Sequence, residues 1–457
     1  MRSIIMSREI VTLHHPAAAV DFLKVDAYWY YLLLASAQCR ITVTKNICDA
    51  EGNTLIPAAH TLSADASLLS PSVILQYPLD EAIQLEHEIT AIQLEQDFMR
   101  TLQKDSVLNA IHEHYNFDEL LRENCEYFSL SALLRQKLTM MSIVMPENYR
   151  RALYCAWISL LMAKEMRLAK KDLNIIFVAA LCHDMGMLHI HPRFMQYEVE
   201  LSDAEWLHVQ SHCLISKHII ERAPSLPSQT ATAVYEHHER CDGTGYPLGK
   251  YESEMEVHGL IIGFADSVVA IYRNRFMHKM GSWRDVVSVI ELNRSAYWQR
   301  NYDIMNAVLS HSELPLANVV QDNPIPEFAR SLHEKNMRLQ QWFIILRDAL
   351  VSIGFIHGDR RLHSIQNIIF HLTTTIEGAG IFYTEKQVWL VELAQSDSLE
   401  QLQALKEFHV VQQEIVFHLQ RLTRMLANYL ANNDCDFVDI STQLKAAMFK
   451  AQAFFVH

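Results

Sequence analysis

A chain of 457 residues is too long for one ordinary core, and a composition 50% apolar and 20% charged describes packed globular domains and excludes a disordered chain. The formal charge of −14 argues against a nucleic-acid scaffold, which needs a clustered basic face, but leaves room for a small phosphate ligand in a local pocket. Only 12 Gly and 12 Pro punctuate the chain, so a mainly α fold of long helices and short loops is expected rather than an all-β one.

Residues 1–80 read as a small mixed α/β module. Its opening "MRSIIMSREIVTLHHP" has no apolar core of a signal peptide. "RITVTKNI" alternates as a strand does, "DAEGN" is a turn, and "TLIPAA" is placed to return as the second arm of a hairpin. From "PLDEAIQLEHEITAIQLEQDFMRTL" onward apolar residues recur at three- and four-residue spacing, which predicts a helical connector over 81–145. Residues 146–283 carry nearly all the candidate chemistry, again on helices. The remainder, 284–457, is expected to be helical. Within it, "PEFARSLHEKNMRLQQWFIILRDALVSIG" and "SLEQLQALKEFHVVQQEIVFHLQRLTRMLANYLAN" are long amphipathic segments that predict a bundle over 320–457. Sensing, homodimer formation and a purely structural role all remain open for that bundle.

The eight cysteines are scattered with no CxxC pair, as expected of reduced thiols. The longest apolar runs, "WYYLLLASA" and "ALYCAWISLLMA", fall short of the roughly 18 residues that a bilayer span needs. A cytoplasmic location without a membrane span is the expectation.

Ligand-type residues gather in four places. His183 and Asp184 lie in "AALCHDMGMLHI", at the end of an apolar helix. His212 lies in "LHVQSHCLISKHII". His237 and His238 stand in "YEHHERCDGTGYPLG", just before a glycine turn, and Asp266 sits in the apolar run "IIGFADSVVAIY". A carboxylate in such a run is costly to bury unless something neutralises it. Imidazoles with carboxylates suit a divalent transition metal, and adjacent histidines, about 100° apart on a helix, reach one ion most easily at a helix end. Each feature has a plainer reading by itself: a chance His-His pair as in "LHHP", a capping His-Asp pair, or a buried aspartate that caps a helix or meets an arginine. Together, on separate helices of one segment, they favour a shared site.

"HHERCDGTGYP" resembles, at every specified position, the HHExxDGxGYP signature of HD-GYP domains. The upstream His-Asp, His212 and Asp266 stand at that family's spacing, and the resemblance covers about residues 146–283. It implies an all-helical HD-type domain that binds two or three metal ions and hydrolyses cyclic di-GMP to pGpG or GMP. By the same resemblance His183, Asp184, His212, His237, His238 and Asp266 would be metal ligands, with Asp184 bridging and, with His183, catalytic. Two ions are implied, iron or manganese foremost, with zinc, nickel or magnesium as other fits. Arg275, nine residues past Asp266, would hold a ligand phosphate, and Gly245 and Tyr246 would line the substrate loop. A diguanylate cyclase or another signalling protein would be the partner, and no nucleic-acid polymer is implied.

Three positions depart from that pattern. Met187 replaces a lysine, Arg151 replaces the first metal histidine, and Val269 replaces the second acid of "DxxDA". The accessory acid is present as Glu147, one helical turn before Arg151, so two outcomes are open: a Glu147–Arg151 salt bridge in place of part of the metal site, or an Arg151 turned to solvent. Two main functions follow: a slow metal-dependent cyclic di-GMP phosphodiesterase, or a non-catalytic relative that binds a nucleotide or partner and signals. A phosphohydrolase acting on another nucleotide is the third.

Overall fold

The computed structural model describes residues 21–64, 69–70, 72–195, 203–273, 283–311, 325–354, 360–393, 399–432 and 438–455. It is mainly helical, as the composition predicts. The N-terminal module opens with α1 (Ala27–Ser36), whose first turn is fixed by the Asp26 side chain accepting from the Tyr28 amide at 2.8 Å. Strand β1 (Ile41–Val43) pairs antiparallel with the distant β4 (Ile83–Leu85), while β2 (Ile47–Cys48) and β3 (Thr54–Ile56) form the hairpin around the "DAEGN" turn.

Four helices follow: α2 (Ala91–Leu102), α3 (Ser106–His114), α4 (Asp118–Ser129) and α5 (Ala132–Val144). A reciprocal Thr90–Gln93 capping box starts α2, and Asp105 caps α3 by accepting from the Val107 and Leu108 amides. Then come α6 (Pro146–Glu165), α7 (Lys170–Cys182), α8 (Asp203–Gln210), α9 (His212–Glu221), α10 (Ser228–Glu236) and α11 (Val257–Ile271). Helices α6, α7 and α11 are buried on nearly every side, as their near-continuous apolar sequence requires. After α12 (Trp283–Leu292) and α13 (Gln299–His311), a single apolar core that begins at Val25 and includes residues of α2–α7 is complete at Leu309.

Helices α14 (Ile325–Ile353), α15 (Arg360–Ala379), α16 (Thr384–Leu393), α17 (Leu399–Asn432) and α18 (Val438–Ala451) enclose a second core around Leu339, Trp342, Leu419 and Leu426. This bundle meets the rest of the protein through directed polar contacts. Asn293 donates to the Glu414 carboxylate at 2.8 Å, and the Thr375 hydroxyl donates to the Leu292 carbonyl at 3.0 Å. Among the described residues no helix is long and apolar enough to cross a membrane.

The N-terminal module is locked to the helices by a buried charge network. The Lys137 ammonium, fully buried, lies 2.9 Å from Asp80 Oδ2, 3.2 Å from His189 Nε2 and 3.3 Å from the centre of the Tyr28 ring. Arg222 forks onto both Asp80 oxygens at 2.9 and 2.5 Å. Burial lowers the His189 pKa, so a neutral ring accepts from Lys137 at Nε2 and donates from Nδ1 to Asp26 at 2.6 Å.

Burial pushes Asp80 up, but the Lys137 ammonium and Arg222 guanidinium more than offset that and hold its carboxyl well below the usual carboxylate range. The stabilisation is therefore complete above the ordinary carboxylate value of about 4 and is lost as the pH falls below it. Replacing Asp80 by Asn leaves Lys137 buried without its counter-charge. Chemical denaturation should show a loss of about 3–5 kcal/mol at neutral pH, and the deficit should shrink under acid conditions.

Candidate metal centre

The site is built where helices end. His183 follows the last turn of α7, Asp184 begins the 3-10 turn Met185–His189, His212 opens α9, and His237 and His238 follow α10; only Asp266 lies mid-helix, in α11. Helix ends leave carbonyls unpaired, and the histidines use them. His183 Nδ1 donates to the Ala180 carbonyl at 2.7 Å, His212 Nδ1 to Val209 at 2.7 Å and His237 Nδ1 to Val234 at 2.6 Å. Each bond ties Nδ1 back and turns Nε2 toward the site, which is how metal-binding imidazoles are oriented.

Those Nε2 atoms converge. His212 Nε2 is 3.4 Å from His237 Nε2, and both face Asp184 Oδ1, at 3.5 and 3.9 Å. His183 Nε2 stands 3.4 Å from Asp184 Oδ2 and 3.4 Å from Asp266 Oδ1, and is a buried nitrogen without a hydrogen bond among the described residues. The His238 ring lies 4.0 Å from that of His237 and 4.6 Å from that of Tyr246. All six candidate ligands are buried. An orphaned buried nitrogen beside two carboxylates, with neutral imidazoles opposite, fits a divalent ion, and Asp184 turns an oxygen toward each set.

Burial pushes His212, His237 and His238 down, His237 to about 3, keeping the neutral form that ligates. Burial also depresses His183, but Asp184 and Asp266 outweigh it and raise that ring to about 10.

Arg151 corrects one expectation. Glu147 pairs instead with Arg150 and Arg273. Arg151 turns inward and forks onto Asp266, with Nε at 2.6 Å from Oδ1 and Nη2 at 2.5 Å from Oδ2, and its Nη1 lies 3.8 Å from Asp184. The residue next on the inward face of α6 at that level is Cys155, whose thiol groups with His183 and Asp266. The guanidinium thus takes the place of positive charge beside Asp266, the plainer of the two fates open to a buried aspartate.

The signature loop is held mostly by its own chain. Glu239 accepts from the Leu248 and Lys250 amides at 2.6 and 2.9 Å, so the acid after the histidine pair shapes the loop. At Gly245 a Cβ would stand 2.3 Å from the Arg240 amide nitrogen, so the close approach that demands glycine there is to this chain's own backbone. At Gly186 a Cβ would stand 2.2 Å from the His212 carbonyl oxygen, and its amide donates to the Ser216 hydroxyl at 2.7 Å. That contact presses the turn carrying Asp184 against the start of α9. Arg275 lies outside the described residues.

Sequence reasoning passed over Cys213, whose sulfur lies 3.5 Å from His212 Nε2 and which groups with His212, His237 and His238. Its adjacency to His212 was the available signal. It also passed over the bundle's contact with the loop: Arg421 of α17 donates to the Thr244 carbonyl at 3.5 Å, and His371 of α15 lies 3.6 Å from Asp242.

The family described as HD domain matches residues 136–301. The cyclic di-GMP phosphodiesterase of Thermotoga maritima is 33% identical over 130 residues, 28% of this chain and 35% of that protein. The 3'3'-cGAMP-specific phosphodiesterase 1 of Vibrio cholerae is 27% identical over 129 residues, 28% of this chain and 30% of its own length. Residues 136–301 are an HD domain of the HD-GYP family. The chain spans about a third of the length of these curated relatives. A third, the cyclic di-GMP phosphodiesterase PdeB of Borreliella burgdorferi, is 28% identical over 180 residues, 38% of this chain and 45% of that protein.

Within this HD-GYP domain Met187 and Val269 are both buried in the apolar core, so both positions hold packing side chains. Replacing Arg151 by Ala would strand Asp266 in that core. Metal-free Arg151→Ala protein should lose about 3–5 kcal/mol in denaturant melts, and a divalent ion should return much of that loss. An equal loss with and without metal would mean that no cation can take the guanidinium's place.

Proposed function

We propose that this protein is a metal-dependent phosphodiesterase of a cyclic dinucleotide, with cyclic di-GMP the foremost substrate and pGpG or GMP the product, working more slowly than a complete HD-GYP site. The observation that carries this reading is the convergence of His183, Asp184, His212 and His237, all buried, with three Nδ1 atoms tied back so that their Nε2 atoms face one another. The relatives named as cyclic di-GMP or 3'3'-cGAMP phosphodiesterases support the substrate class.

When bound, a divalent ion supplies positive charge for phosphate oxygens and activates water. His183, His212, His237, His238 and Asp184 would hold it. The chain supplies orientation: Asp184 keeps an oxygen toward each group of histidines, and Arg151 neutralises Asp266 and adds fixed positive charge at the edge of the site. Arg275 would clamp a phosphate with its planar fork, and Gly245 and Tyr246 would line the entrance beside His238. With Met187 in the lysine's place one charge-assisted contact of about 1.5–3 kcal/mol is gone, roughly a ten- to hundredfold slower step.

A second reading is a nucleotide- or partner-binding signalling module without turnover. The Arg151 fork on Asp266 and the Arg421 contact with the signature loop favour it. A cytoplasmic setting, a diguanylate cyclase or other signalling partner, and self-association through the C-terminal helices belong to either reading.

Elemental analysis of the purified chain, followed by chromatography of cyclic di-GMP and 3'3'-cGAMP incubated with it and Mn²⁺ or Fe²⁺, tests this. Slow, metal-dependent conversion is expected, and metal-loaded protein that binds nucleotide without converting it would establish the second reading. Because Met187 is buried, a lysine there needs its acid. Arg151→His, Met187→Lys and Val269→Asp combined should raise turnover by about ten- to a hundredfold.

A further inference from the structure

We propose that Cys213 is a metal ligand, so that His212, Cys213, His237 and His238 form a four-donor site for one zinc-class ion while Arg151 keeps Asp266 out of coordination. The inference rests on the reading of the histidine cluster as a metal centre, and because an ion with four side-chain donors holds no water it sides with the reading without turnover.

The geometry comes first. Zinc–nitrogen bonds of about 2.0–2.1 Å and zinc–sulfur bonds of about 2.3 Å, set at tetrahedral angles, place two nitrogens about 3.3–3.4 Å apart and a nitrogen and sulfur about 3.6 Å apart. His212 and His237 Nε2 are 3.4 Å apart, and Cys213 Sγ is 3.5 Å from His212 Nε2. The donor atoms of all four residues lie within 4.8 Å of one another, and all four side chains are buried.

Local chemistry agrees. Cys213 is the second residue of α9, which sets its side chain beside that of His212. Cys155, the other thiol near the cluster, is engaged differently: its sulfur contacts the Ile262 carbonyl at 3.8 Å and the Ser159 hydroxyl at 4.0 Å. Both oxygens of Asp266 accept from Arg151, which removes the donor a second ion would share with His183. Three imidazoles and a thiolate prefer zinc or cobalt to magnesium or manganese. The family resemblance points to iron or manganese first, so these residues shift that choice.

Cobalt(II) titration of the full-length, metal-stripped chain reads the ligand set directly. One Co²⁺ per chain is expected, with a thiolate-to-cobalt charge-transfer band. That band should vanish in Cys213→Ser, with Cys213→Ala as the alternative if the serine variant does not fold, and persist in Cys155→Ser. Cobalt binding without the band, or a band that survives in both Cys213 variants, overturns the thiolate while leaving the histidine centre standing. Two ions per chain overturn the exclusion of Asp266. No cobalt uptake at all removes the metal centre itself, and this inference with it.

Discussion

Asp266 is an ionised carboxylate in the middle of an apolar helix, and the surrounding structure is organised to neutralise it. Burial penalises the charge, and Arg151 and His183 outweigh the penalty, holding its carboxyl well below the usual carboxylate range. The bidentate guanidinium supplies fixed charge that needs neither metal nor protonation. From that contact follow the inward course of Arg151, the release of Glu147 to Arg150 and Arg273, and the division of the site. One part is a carboxylate–arginine pair; the other is a set of neutral imidazoles.

The site is held by parts remote from it in sequence. Gly186 lets the turn after Asp184 lie directly on the backbone of His212, which brings Asp184 and His212 at the start of α9 within 3.5 Å of each other. Three residues beyond Gly186, His189 of the same turn enters the Lys137–Asp80–Asp26 network, so the N-terminal module is wired by hydrogen bonds to the segment that carries Asp184. The bundle touches Asp242 and Thr244 of the signature loop. The N-terminal module therefore contacts the turn that follows Asp184, and the bundle contacts the loop that follows His238.

Local signals made much of this legible. Helical periodicity, scarce glycine and proline, and the "DAEGN" turn implied a mainly helical chain with an N-terminal hairpin; the turn joins β2 and β3, but of the expected first arm only Ile47 is in that pair. The distant partner of β1 was not legible, because β1–β4 pairing joins residues some forty positions apart and no local pattern encodes it. The candidate ligand residues were legible because histidine and aspartate are conspicuous in apolar runs. Cys213 was not, because a buried cysteine on an apolar helix face reads as a small hydrophobe until its neighbours are known.

The sequence by itself determined the chemistry available: four histidines and two acids of ligand type in one segment, an arginine where the family pattern has a histidine, and apolar residues where it has a lysine and an acid. Which arginine nitrogen meets which carboxylate oxygen, and which thiol lies beside the imidazoles, only the tertiary structure decided. Partner choice for a charged side chain depends on distances between helices more than a hundred residues apart in the chain. Glu147 and Asp266 compete for the same guanidinium, and the more deeply buried carboxylate holds it because the cost of leaving it unpaired is larger.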